Sequence, residues 1–134
     1  MLKIVLALIL FAHGIGHSLG LLQLFRIATV NPEWHGDSWL LAGPVGTTVA
    51  QAVGVVCWTV AIVGFGALAG LVVGWLPASW WAPLALGSAL ASIAGLALFP
   101  VAFPPMSSVA ALVVDLAVLA AVSVVHWTPE QLAP

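Results

Sequence analysis

From Leu2 to Phe25 the chain runs without one Asp or Glu, and three further long stretches follow with almost no charge. About 20 consecutive apolar residues is the length at which a helix crosses the hydrocarbon of a bilayer. Apolar segments of that length have two places to go, the interior of a large protein or lipid. This chain has 134 residues, 63% of them hydrophobic and 4% charged. A soluble domain is about one quarter charged, so too few polar groups are present to cover an aqueous surface. Lipid is the solvent that fits. The expected fold is all-α, an integral membrane four-helix bundle forming one transmembrane domain over residues 1–134.

The spans are expected at about residues 2–25, 47–75, 82–103 and 107–127, with an outer loop over 26–42. Pro77 with Ser79 marks the second connection and Pro104-Pro105 the third, a tight hairpin. Connections this short imply up-down-up-down order with both termini on the same side. Trp75, Trp80, Trp81 and Trp127 then fall at one membrane surface and Trp34 and Trp39 at the other, as indoles at headgroup level do. Trp58, inside the second span, breaks that pattern. Lys3 lies at the terminal side and Arg26, with Glu33 and Asp37, at the other. The positive-inside rule, working from one lysine, puts the termini in the cytoplasm of a multi-pass cell-membrane protein. The first apolar run also has the look of a signal peptide, with Ala12-His13-Gly14 as a small-x-small site. It continues well past that point, so it is read as a retained span.

The formal net charge is −2 and no basic patch exists, which argues against a nucleic acid partner. One cysteine, Cys57, allows no intrachain disulfide. The expected partners are the lipid bilayer and a second copy or another membrane subunit.

Ionisable residues within spans are costly, and so are the first candidates for function. Here they are His13, His17 and Asp115, with Ser88, Ser92 and Gln51 as uncharged company; His126 falls near the end of the fourth span. His13 and His17 are four residues apart and stack one turn apart on one helix face. Gly16 and Gly20 lie on nearly the same side, a small-xxx-small surface that lets another helix approach. Counting from the outer ends of the spans at about 1.5 Å per residue puts His17 level with Asp115, and His13 and Ser92 about a turn deeper. The expected site is therefore a His17–Asp115 contact with His13 beside it. Gln51 is expected nearer the outer surface.

Three readings remain open. The polar site stabilises helix packing or holds a membrane partner. Alternatively, His13, His17 and Asp115 hold a divalent metal for an enzyme, the ligand count of an open catalytic site. Haem fits less well, because two histidines on one helix cannot take opposite faces of the ring. A third reading is a proton relay or proton-coupled transport along the His–Asp chain. Glu33, His35 and Asp37 read as a solvated outer turn.

The run His13-Gly14-Ile15-Gly16-His17-Ser18-Leu19-Gly20 resembles a pattern in small, uncharacterised bacterial membrane proteins. These carry a His-Gly-x-x-His-x-x-Gly element in the first of four spans and a tryptophan-rich turn like Trp80-Trp81. The resemblance covers one short motif closely and the hydropathy plan loosely. It implies a four-span membrane fold and no particular activity. The polar or acidic segment that family members often carry before the last span is replaced here by Phe103-Pro104-Pro105-Met106, which lacks the acid, and Asp115 lies deeper.

Overall fold

The structure, a computed structural model, describes residues 1–132. In lipid every backbone polar group must find a partner within its own segment, which makes helices the default for apolar stretches of span length. The described residues accordingly form helices and turns: α1 (Leu2–Gly16), α2 (Ser18–Leu24), α3 (Ala42–Val45), α4 (Thr47–Val72), α5 (Trp81–Leu98) and α6 (Pro105–Ser123), with short 3-10 turns at Ala78–Trp80 and Pro129–Leu132. Four helical segments are long and apolar enough to cross a membrane: Leu2–Leu24, Thr47–Val72, Ala78–Leu98 and Pro105–Ser123.

Local chemistry explains where the segments stop. After α4, Gly74 takes φ 89°; its N–H donates to Leu71 and that of Trp75 to Gly70, the glycine-closed cap that ends many helices. Arg26 closes α2 by the same pair of bonds, to Gln23 and from Ile27 to Leu22, at φ 58° without the glycine that normally relieves that conformation. The third long helix ends at Leu98, short of the expected Phe103. Phe99 precedes Pro100 and so cannot easily stay helical, and it adopts φ −130°. Residues 99–104 instead form a turn that buries Phe99, Ala102 and Phe103. α6 then starts on Pro105, whose missing N–H costs nothing in a first helical turn.

α4 is the central element. It packs on α1 along one side and on α5 along the other, and α6 packs on α5; α1 and α6 barely approach each other. Glycines set the closest approaches. A Cβ on Gly14 would sit 2.9 Å from the Phe65 Cβ and 3.2 Å from the Ile62 carbonyl oxygen, so α1 meets the backbone of α4. A Cβ on Gly64 would sit 2.9 Å from the Ser88 Cβ, so α4 meets α5 as closely.

Two apolar clusters result. One gathers Leu10, Ala61, Phe65, Leu68, Val72, Trp81, Ala85 and Val118. The other gathers Trp34, Trp58, Leu96, Phe99, Ala102 and Phe103. Trp34 is therefore no headgroup-level indole: it is 6% exposed, edge-on to Trp58 and Phe99, and its Nε1–H donates to the Asp37 carbonyl. Trp39, Trp75 and Trp80 are exposed, and Trp81 is buried against Trp127.

The loop after α2 is tied down by polar bonds. The Gln23 amide accepts from the Val30 and Asn31 N–H groups and donates to the Asn31 and Trp34 carbonyls. Ser38 Oγ donates to the Leu98 carbonyl at 2.8 Å and Trp39 Nε1 to that of Ala97 at 2.7 Å. Glu33, His35 and Asp37 stay exposed on its surface.

Candidate functional site

Between the two apolar clusters lies one polar layer built from three of the long helical segments. Asp115 projects from α6 and is fully buried. One carboxylate oxygen, Oδ1, accepts from His13 Nε2–H at 2.8 Å. The other, Oδ2, accepts from Ser92 Oγ–H on α5 at 2.5 Å. A hydroxyl has one proton to give, so Ser92 must act as acceptor toward its other neighbour. That neighbour is His17, whose Nε2 lies 2.9 Å from Ser92 Oγ and donates there. The chain is thus His13 to Asp115 to Ser92 to His17. The two imidazoles meet edge to face with centroids 5.1 Å apart.

Local structure puts the histidines there. α1 and α2 form one span interrupted at His17, whose N–H bonds to the Gly14 carbonyl three residues back in a tightened turn. Both rings face the bundle: the His13 side chain is 6% exposed and His17 is 2% exposed. Each ring also leans on one cluster. His13 meets Phe65 edge-on at 4.3 Å between centroids, and His17 meets Phe103 at 6.1 Å. Apolar packing therefore closes the polar layer from the first cluster on one side and from the second on the other.

Sequence and structure differ on the pairing. The expected His17–Asp115 contact is replaced by His13–Asp115, and His17 reaches the carboxylate only through Ser92. The reason is the third helix: the Ser92 hydroxyl stands between the His17 ring and Asp115 Oδ2, leaving Oδ1 to His13. Gln51 is not part of the layer; its Nε2 donates to the Gly36 carbonyl at 3.2 Å, in the outer loop. Ser88 bonds back to the Leu84 carbonyl of its own helix. The two glycines expected to share one packing role part company. Gly20 abuts Trp58 and Phe103, whereas a Cβ on Gly16 would meet nothing within 4 Å. An equally tight contact belongs to Gly14, which the four-residue spacing of Gly16 and Gly20 did not mark. The amide of Gln23 also escaped notice; its signal was a lone polar residue at the end of an apolar run.

Chemically, the layer is a carboxylate with two donors and a second imidazole behind the serine. In a hydrolytic Ser-His-Asp triad the imidazole stands between serine and carboxylate; here the serine does. Both histidine Nε2 atoms are already engaged, and among the described residues no three His, Cys, Asp or Glu side chains are grouped to hold a metal ion. Nδ1 of His17 is buried and has no hydrogen-bond partner among the described residues. Beside the layer, the gap between α1 and α6 opens into a cavity of about 430 Å³ to which both histidines contribute.

No family model matches the chain, and comparison with curated proteins and with solved structures finds no similar one.

Proposed function

We propose that the chain is a small multi-pass protein of the cell membrane whose His13–Asp115–Ser92–His17 layer locks the packing of its helices, or of the bundle against a membrane partner. In this reading the spans run up-down-up-down, with both termini cytoplasmic. One observation carries it: four polar groups from three helical segments satisfy one another almost completely, between two apolar clusters and across a seam where α1 and α6 otherwise barely touch. Lipid cannot replace any of these partners, so separating the helices leaves a carboxylate and two imidazoles unpaired in hydrocarbon.

Magnitudes favour a lock of modest strength. Interhelical hydrogen bonds in membranes average about 0.6 kcal/mol each. A buried charge that loses its partner costs about 3–5 kcal/mol. The layer therefore adds little over an apolar interface of equal quality, but it penalises wrong registers heavily.

The test is an isosteric pair of variants, read by unfolding in lipid nanodiscs. Asp115→Asn keeps an acceptor for His13 and a polar partner for Ser92, and should unfold close to wild type. Asp115→Leu should be clearly destabilised. If both variants unfold like wild type, the lock is refuted.

A second reading has an observation of its own: the four groups form an unbroken hydrogen-bonded chain along which a proton could shift. It requires that Asp115→Asn abolish proton flux in liposomes, whereas the lock predicts no flux to abolish. The metal-enzyme reading requires stoichiometric metal in protein purified from native lipid, lost in the His13→Ala, His17→Ala double variant.

A further inference from the structure

At the seam between α1 and α6 the polar layer meets the outer surface of the bundle. The cavity there is walled by Ile9 and Gly16 on the α1 side and by Ala110 and Val114 on α6, with Leu96 and Phe103 behind. Its volume of about 430 Å³ lies within the range of small-molecule sites. Ile9 and Ala110 are exposed, so the mouth faces sideways, to the lipid, if the helices span a bilayer as proposed. The lining is almost wholly apolar except for the two imidazoles and Ser107.

The second observation is the state of His17. Its Nε2 is committed to donating to Ser92, because the single Ser92 proton goes to Asp115. In the neutral ring Nδ1 then carries a lone pair and no proton. It is an acceptor, buried, with no partner among the described residues. A group that completes it must bring a donor hydrogen. A water is a poor occupant beside it, because water needs two to four polar partners and these walls supply few.

We propose that this cavity binds a lipid-soluble molecule with an apolar body and one hydroxyl, entering sideways from the bilayer and donating its O–H to His17 Nδ1. An ether or hydrocarbon of the same shape fills the walls equally well but leaves the imidazole nitrogen unpaired, and binds less tightly. The inference rests on the membrane reading but not on the lock. The Asp115 variants test the lock without added ligand, so either idea can fail while the other stands.

The experiment uses 4-hexylphenol and its methyl ether as matched probes, with full-length protein in phosphatidylcholine nanodiscs and empty nanodiscs as the partition control. Calorimetry should show saturable binding of one phenol per chain above the control. The phenol should bind about 2- to 10-fold more tightly than the ether, the range one net hydrogen bond supplies. Nitrogen-15 spectra of histidine-labelled protein should show the His17 Nδ1 resonance moving with the phenol and not with the ether. Gly16→Leu places a side chain on the cavity wall at a position where a Cβ meets no neighbour within 4 Å, so it fills the cavity and should abolish saturable binding. Ala110→Leu, on the opposite wall, should do the same. Equal affinity for phenol and ether, uptake no greater than in empty nanodiscs, or unchanged binding in both filled variants would overturn the proposal.

Discussion

The faces that α4 shares with α1 and α5 and the seam between α1 and α6 hold helices together by opposite means. On the α4 faces, Gly14 and Gly64 bring helices into near-backbone contact, and large apolar side chains such as Phe65 and Leu68 fill what remains. Along the seam the backbones stay apart and leave cavities, and the direct tie is a hydrogen bond between His13 and Asp115. In lipid, where chain-to-chain contact has little hydrophobic advantage over chain-to-lipid contact, close packing and polar bonds are the two available adhesives. This molecule uses them in different places. Packing gives cohesion without strong selection among registers, whereas a buried carboxylate accepts only a geometry that supplies its donors.

The comparison breaks first on the packed side. Gly14→Leu forces a side chain into the Phe65 Cβ and the Ile62 carbonyl, and should cost about 3 kcal/mol of stability, measured by reversible unfolding in mixed micelles. A loss below about 1 kcal/mol would mean that α1 does not depend on that approach. On the seam, Asp115→Leu removes the acceptor of two buried donors and should cost about 2 kcal/mol, while Asp115→Asn stays within about 1 kcal/mol of wild type in the same assay. Ser92→Ala keeps the His13–Asp115 bond and leaves His17 Nε2 unpaired; the expected loss is about 1 kcal/mol. The smallest effect is expected at Gly16→Ala, which meets nothing within 4 Å and should leave stability unchanged or gain up to about 1 kcal/mol from helix propensity. If Gly16→Ala proved as costly as Gly14→Leu, the seam would be a packed face after all.

The contrast also explains what could be read from the sequence. Four apolar helices follow from hydropathy and from the backbone's need for internal partners, and that much needs no tertiary detail. The four-residue spacing of His13 and His17 fixes a shared face, and both rings do turn into the bundle. The pairing with Asp115 was not legible. Counting depth from loop ends assumes that the spans start level, yet residues 99–104 leave the helix early and α6 begins on Pro105. One helical turn is four residues, so a small offset decides between His13 and His17, and the counting could not register a serine inserted from a third helix. Gly14 was hidden for a related reason. A glycine in a glycine-rich run announces its role only through what stands opposite it, here Phe65.

The central claim is that the polar layer holds α1 to α6 across an otherwise open seam. Its most direct test is a distance distribution between spin labels at Leu8→Cys on α1 and Leu116→Cys on α6, both exposed positions, in a Cys57→Ala background in nanodiscs. With Asp115 intact, and equally with Asp115→Asn, the distribution should be narrow and single. With Asp115→Leu it should broaden or shift to longer distances while helix content is unchanged. An identical narrow distribution in Asp115→Leu would contradict the account, because the seam would then be held by something other than the histidines and their carboxylate.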